Sequence, residues 1–142
     1  MKIELVDITQ DAARKIGYYA GECYNARKDE EACVKRAVKC LDEGHLSTLR
    51  FAQAVFHITG ISRVCSHQIV RSKFLDFLQQ SQRYVNQNDV GFIIPDSLKA
   101  TPQMEEQTKF LYEDLFNAYN NLIKRGVKKE DARFVLPEAT QT

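Results

Sequence analysis

Polar side chains that can bind anions and nucleobases cluster between Gln68 and Tyr84. Arg71 and Lys73 place two cations two residues apart, and the run Ser81 to Tyr84 follows after seven further residues. Arginine offers a planar fork that suits phosphate, and lysine offers a point charge. The glutamines supply the paired donor and acceptor needed to read a base edge. The cluster indicates a nucleotide site, although a solvated helix face has the same composition.

Ser81 is the candidate for binding a phosphate oxygen or lying close to a reacting carbon. No histidine is placed in sequence to activate it as a nucleophile. His45 follows Gly44 and has hydroxyl neighbours, so it is either a cofactor-phosphate ligand or a residue of a surface loop. The spacing of the three histidines does not make a metal site, and we expect none. There is no glycine-rich phosphate loop, which argues against a Rossmann-type cofactor site.

The composition limits the class of protein. The 142 residues carry 20 basic and 19 acidic side chains, a net charge of +1. This balance argues against a protein that coats nucleic acid, so any anion binding must be local. With 44% hydrophobic residues and no membrane-length apolar run or signal peptide, the chain is expected to be a cytoplasmic globular protein. Four cysteines without CxxC spacing are expected to be free and buried.

Periodicity predicts the elements that position these residues. Alternation favours strands over residues 1–8 and 51–61, with a short one over 92–95, and leaves 45–50 as a loop. Helical spacing predicts four main helices, with Thr9 or Asp11, Ser62 and Thr101 as N-caps of three of them. Their predicted ranges are about 12–24, 30–43, 62–70 and 102–125, with a last short helix over 128–134. The chain is therefore predicted to be one α+β domain over residues 1–142, with an antiparallel sheet packed with helices.

Taken in order, these pieces resemble the flavin-dependent thymidylate synthase family. The signature of that family is Arg-His-Arg, seven residues, Ser, and then x-Arg-Tyr. Arg71-Ser72-Lys73 and Ser81-Gln82-Arg83-Tyr84 have this spacing, and Gln68 lies three residues before it as in the family. Gly44-His45-Leu46-Ser47-Thr48 matches an upstream Gly-His segment, and residues 130–137 look like the Ala-Arg-x-Val-Leu-Pro segment of the family.

The resemblance implies roles for individual residues. The positions that contact flavin in the family correspond to His45, Ser47, Arg71, Ser72, Lys73 and Gln79. The positions that hold the uridine nucleotide correspond to Gln68, Arg71, Gln79, Gln80, Ser81, Gln82 and Arg83. Among these, Ser81 and Arg83 are implied to lie at the catalytic centre, where Ser81 orients the nucleotide and does not attack it.

The resemblance also implies the chemistry. The expected reaction methylates a pyrimidine nucleotide at C5, from dUMP to dTMP or on a related uridine nucleotide. Reduced FAD delivers hydride, methylenetetrahydrofolate supplies the carbon, and NADPH reduces the flavin. The implied assembly is a homotetramer with sites shared between subunits, with no nucleic acid or membrane as partner.

The sequence departs from the family at several positions. Ser72, Lys73 and Gln79 stand where the family usually has His, Arg and Glu, and the last change removes a charge and any acid–base capacity. The family also continues past the Leu-Pro segment, so the sequence is interpreted as a diverged, C-terminally short member. These departures leave a non-catalytic relic that binds a nucleotide or flavin as the alternative. A small nucleic-acid-binding protein is a third hypothesis, which the balanced charge disfavours.

Overall fold

A computed structural model describes all residues, 1–142, as two compact units. One unit comprises residues 3–57, and the other comprises residues 1–2 and 58–142. The strands are β1 (Lys2–Ile8) and β2 (Ala54–Thr59). The helices are α1 (Ala12–Glu22), α2 (Glu30–Asp42), α3 (Arg63–Ile69), α4 (Pro102–Lys124) and α5 (Lys129–Ala132). Short 3-10 helices cover Leu46–Phe51, Asp96–Lys99 and Arg133–Val135. The predicted α+β class is confirmed.

β1 pairs with β2 in a small antiparallel sheet, and residues 3–8 and 54–57 of these strands belong to the unit of residues 3–57. Thr9 anchors the open end of this pair, because its backbone N–H donates to Gln53 O at 2.9 Å and its Oγ1 accepts from Gln53 N at 2.9 Å. The side chains of β1 are exposed on both faces. A two-stranded sheet of this kind gains little stability by itself.

The α1–α2 pair forms the core of the same unit and depends on a glycine. A Cβ atom built at Gly17 would lie 1.7 Å from the backbone oxygen of Cys33, so only glycine allows the helices to approach this closely. Cys33 is fully buried at this crossing. The Arg36 guanidinium donates to Gly17 O at 2.6 Å and to Arg27 O at 2.7 Å, which ties the end of α1 to α2.

Helix boundaries in this unit confirm part of the sequence prediction and correct the rest. Gly44, with φ of 74°, ends α2 as predicted. Asp11, one of the two predicted residues, occupies the N-cap position of α1, but it adopts the left-handed conformation and its side chain makes no cap hydrogen bond. Thr9 is not the cap, and its Oγ1 bonds Gln53 instead. The predicted loop over residues 45–50 is instead largely a 3-10 helix, so β2 begins at Ala54 and not at Phe51.

Several aromatic and cysteine side chains of this unit are exposed. Tyr18, Tyr19 and Tyr24 are 37%, 45% and 83% exposed. Tyr19 stacks on Phe51, with ring centroids 4.6 Å apart, in place of entering a core. Across the whole chain all four cysteines are free: Cys33 is buried, Cys40 and Cys65 are half-buried, and the prediction of burial is wrong for Cys23, which is exposed.

In the other unit, hydroxyl side chains begin the helices as predicted. Ser62 Oγ accepts from Cys65 N at 3.2 Å, and Thr101 Oγ1 accepts from Met104 N at 3.2 Å. The core lies along α4, where Tyr119 is fully buried and Phe116 nearly so. The last residues of the chain pair as an extended segment, with Thr140 opposite Phe92 and Gln141 opposite Ser62, so the short strand predicted over 92–95 is reduced to a single bridge.

No helix has both the length and the apolar character needed to span a bilayer.

Candidate functional site

The segment that follows α3 carries most of the predicted ligand-binding residues. After Val70 the backbone leaves the helix through turns, with Arg71 N donating to Gln68 O at 3.2 Å. Residues 71–80 have no regular secondary structure beyond turns, and all are exposed. The side chains of Arg71, Ser72 and Lys73 make no hydrogen bond or ion pair within the chain, which leaves all of their donors available to a ligand.

One face of α3 holds the next part of this segment. Gln79 Nε2 donates to Ser66 Oγ at 2.6 Å, and Arg63 Nη1 donates to Gln80 O at 3.3 Å. Arg63 and Ser66 share a face because they are three residues apart on a helix. The two contacts fix the backbone of Gln79 and Gln80 next to α3.

Ser81 organises a turn. Its Oγ accepts from Arg83 N at 3.2 Å, and its carbonyl accepts from Val85 N at 2.9 Å. No histidine forms a hydrogen bond with the Ser81 hydroxyl. This geometry is compatible with the role implied by the resemblance, in which Ser81 orients the nucleotide; its place at the catalytic centre stays a prediction.

Arg83 and Tyr84 are fixed by α5. Arg83 Nη2 lies 3.5 Å from Glu130 Oε2, and Lys129 Nζ donates to Tyr84 O at 2.9 Å. The Arg83 guanidinium also lies 5.7 Å from the centroid of the Tyr84 ring. Both side chains stay exposed, so the guanidinium can exchange its partly solvated carboxylate contact for a ligand.

A small cavity of about 330 Å³ lies between α3, the Ser81 turn and the C-terminal segment. Its charged and polar lining residues are Arg63, His67, Gln82, Arg133 and Glu138, and its apolar ones are Phe134, Leu136 and Pro137. We call it the arginine cavity. The two arginines belong to separate elements, α3 and the 3-10 helix Arg133–Val135, which the pairing of residues 139–142 with residues 61–63 brings to one place.

The electrostatics of the arginine cavity favour an anion. Burial lowers the pKa of the Arg63 guanidinium; the nearby Glu138 carboxylate opposes this shift, and the like charge of Arg133 adds to it. Arg63 stays cationic at neutral pH, because an arginine pKa is far above 7. Glu138 is partly engaged by His67, whose Nδ1 lies 3.3 Å away. An anion between the two guanidinium groups would relieve their repulsion.

The structure brings together some predicted site residues and leaves others separate. Gln79 to Arg83 form one continuous surface on α3 and α5, and Gln68 lies exposed on α3. His45 and Ser47 belong to the unit of residues 3–57, where His45 Nε2 lies 3.5 Å from Glu43 Oε2 and Ser47 is exposed in the 3-10 helix. Their roles as flavin ligands stay predictions.

Sequence reasoning missed the two arginines of the cavity. Arg63 looked like an ordinary residue in the first turn of a helix, and nothing in the local sequence marks it as functional. Arg133 lies in the segment that matches the Ala-Arg-x-Val-Leu-Pro segment of the family. That match was the one sequence signal that could have pointed to Arg133. Only the tertiary structure shows that both line one cavity with Gln82.

Comparison with solved structures first defines the class of fold. The chain is similar to a crystal structure of the UMP/dUMP methylase PolB from Streptomyces cacaoi bound with 5-Br dUMP, with a TM-score of 0.76. The match covers 99% of this chain and 69% of that one, at 22% sequence identity, which shows a shared fold.

Comparison of sequences then identifies the family. The model of the thymidylate synthase complementing protein family, Thy1, matches residues 4–142, so the chain belongs to this family. It is 37% identical to the flavin-dependent thymidylate synthases of Thermococcus onnurineus and Geobacter sulfurreducens, over the whole of this chain and 63% and 66% of theirs. It is 42% identical to that of Thermococcus kodakarensis, over 81% of this chain and 47% of the relative. The chain thus spans about half to two thirds of these relatives, and the predicted family is confirmed.

Proposed function

We propose that the chain provides the nucleotide-handling and flavin-handling part of an enzyme that methylates a pyrimidine nucleotide at C5. The substrate is dUMP or a related uridine nucleotide, with methylenetetrahydrofolate as carbon donor and NADPH as reductant. The observation that carries the proposal is the arginine cavity beside the Ser81 turn, in a chain that belongs to this family. The relatives are named flavin-dependent thymidylate synthases, which supports the same chemistry.

The residues of the cavity suit a nucleoside monophosphate. Arg63 and Arg133 would hold the phosphate, because guanidinium groups form charge-assisted, bidentate hydrogen bonds with it. Gln82 lines the same cavity and offers an amide donor and acceptor to the base or sugar. The turn around Ser81 holds Gln82 in this place, and the next residue, Arg83, pairs with Glu130 of α5.

The donors on the exposed segment fit a flavin dinucleotide. Arg71, Ser72 and Lys73 present two cations and a hydroxyl without partners in the chain, which is the donor set that a pyrophosphate requires. FAD, when bound, supplies the redox chemistry of the reaction. The part of the chain itself is to bind the two phosphate-bearing ligands and to orient the base; the proposed assembly is a homotetramer with sites shared between subunits.

A second function, binding of nucleotide or flavin without catalysis, is favoured by one observation. Gln79 cannot ionise, and its amide nitrogen is already engaged by Ser66 and Thr142. A site whose chemistry needed a carboxylate at this position would be inactive.

Release of tritium from dUMP labelled at C5 tests the proposal. The chain is incubated with FAD, NADPH and methylenetetrahydrofolate, and reactions without FAD or without the folate serve as controls. We expect release that depends on both. Flavin and dUMP binding without any release would support the non-catalytic function, and failure to bind both ligands would contradict both proposals.

A further inference from the structure

Ser66 is a buried hydroxyl that the proposed chemistry does not use. It lies on α3 with 5% of its surface exposed, and its Oγ has two hydrogen-bond partners. It donates to the carbonyl oxygen of Arg63 at 2.9 Å, and it lies 2.6 Å from the side-chain amide of Gln79. Because the carbonyl of Arg63 can only accept, it takes the single proton of the hydroxyl.

This arrangement determines which atom of the Gln79 amide faces Ser66. With its proton committed to Arg63, Ser66 Oγ can only accept from Gln79. The amide nitrogen Nε2 therefore points at Ser66, and the same nitrogen lies 3.3 Å from Thr142 Oγ1. The amide oxygen Oε1 receives no hydrogen bond from any donor of the chain.

The orientation of the Gln79 amide matters because the backbone next to it is bonded to a residue of the arginine cavity. The next residue, Gln80, accepts a hydrogen bond from Arg63, and Arg63 lines the cavity together with Gln82. The unpaired carbonyl oxygen of Gln79 thus belongs to the residue directly before the one that Arg63 holds. A ligand that reaches Gln79 would meet an acceptor there, and it would need to supply a donor.

We propose that Ser66 is a positioning residue that makes Gln79 Oε1 an acceptor for the imide N–H of a bound ring; this inference rests on the proposed function. Uracil and the flavin ring share that group, an N3–H between two carbonyls. Cytosine has an unprotonated N3 at the same place, so its lone pair would face the lone pairs of Oε1. Ser66 therefore selects imide rings by holding one amide in one orientation.

The nucleotide arm of the test measures the ratio of dissociation constants for dCMP and dUMP by calorimetry. Ser66→Ala frees the Gln79 amide to rotate and to offer Nε2 to cytosine. We expect the preference of the unmodified chain for dUMP to fall by about fivefold or more, since an unpaired polar group is costly. Ser62→Ala is the matched control, because it removes a hydroxyl that caps the same helix. It should lower the unfolding temperature and leave the ratio unchanged.

The flavin arm compares FAD with FAD methylated at N3 in the same variants. A fall in preference confined to this arm assigns Gln79 to the flavin, and a fall confined to the nucleotide arm assigns it to the nucleotide. If Ser66→Ala does not fold, Gln79→Leu is the second variant, because it removes Oε1 at an exposed position. It should also lower the preference for dUMP over dCMP.

Unchanged ratios in both arms would overturn the inference. Binding of dUMP and FAD without any preference for imide rings in the unmodified chain would also overturn it, while the proposed function stood. Absence of binding to both ligands would overturn the two together.

Discussion

At the scale of single residues, the proposed function depends most directly on the guanidinium groups of the arginine cavity. Arg63 and Arg133 line one cavity, and the carboxylate of that cavity, Glu138, lies 3.3 Å from His67 Nδ1. Such pairs hold a phosphate strongly, because each bond is charge-assisted. One variant of the cavity and one control outside it measure this directly.

Arg133→Ala should weaken dUMP binding by about 1.5–3 kcal/mol, the usual loss of a hydrogen bond to a charged group. The measurement is the dissociation constant from calorimetry. Arg125→Ala is the matched control, because Arg125 is exposed at the end of α4 and outside the cavity. Equal losses in the two variants would mean that the cavity does not hold the phosphate.

Arg71→Ala should weaken FAD binding by about 1.5–3 kcal/mol for the same reason, and it should leave the unfolding temperature unchanged since its side chain has no partner in the chain. Quenching of flavin fluorescence gives the affinity. An unaltered affinity for FAD would contradict the flavin role carried over to the segment 71–73.

At the scale of elements, the sequence predicted most helices and strands because their signals are local. Ser62 and Thr101 are followed by helical periodicity, and both cap a helix as predicted. The side chain of Asp11 does not cap α1 because its backbone is left-handed. Aspartate tolerates this conformation, but the residue type does not predict it. Arg63 and Arg133 were missed because their proximity depends on the pairing of distant backbone segments, which no local pattern encodes.

The α1–α2 crossing predicts a large stability effect at one glycine. Gly17→Ala places a Cβ against the Cys33 backbone, which cannot give way without separating the helices, so the unfolding free energy should fall by about 1–3 kcal/mol or more. Gly21→Ala is the comparison: its Cβ meets the end of the Arg36 side chain, at 2.6 Å, which can move by giving up its hydrogen bonds to Gly17 O and Arg27 O. Urea titration of both variants should show the larger loss for Gly17→Ala.

The cap of α2 makes its stability depend on acid. The hydrogen bond from Ala32 N lowers the pKa of Asp29, opposed by desolvation and aided by the Arg27 charge. Because the pKa of Asp29 is lower in the folded chain than in the unfolded one, its carboxylate stabilises the fold at a pH above the unfolded-state pKa, about 3.9. This contribution is lost as the pH falls through the folded-state pKa. Asp29→Asn keeps a capping oxygen that cannot ionise.

The measurement is the difference in unfolding temperature between the unmodified chain and Asp29→Asn. It should be largest near neutral pH and shrink as the pH falls below about 4. A difference that stays constant over this range would show that the ionised form of Asp29 is not what stabilises α2.

At the scale of the whole molecule, exposed apolar side chains favour self-association. Ile3, Leu5 and Val6 of β1 and Phe74 and Leu78 of the segment after α3 are each more than half exposed. Apolar surface of this kind is typical of a chain that buries it in an assembly. We therefore expect an oligomer by light scattering during size-exclusion chromatography, and the proposed homotetramer is one such assembly; a monomer at micromolar concentration would contradict this.

The buried tyrosine of α4 gives the protein a spectroscopic probe of its own. Tyr119 is fully buried, its hydroxyl accepts from Gln87 N and donates to Asn86 Oδ1, both at 3.3 Å, and the chain has no tryptophan. The other five tyrosines are at least partly exposed. Near-ultraviolet circular dichroism of the ligand-free chain should thus draw strongly on one phenol, whose asymmetric surroundings are the residues just after the Ser81 turn. Loosening of that turn should therefore change the near-ultraviolet circular dichroism signal of Tyr119, with no added label.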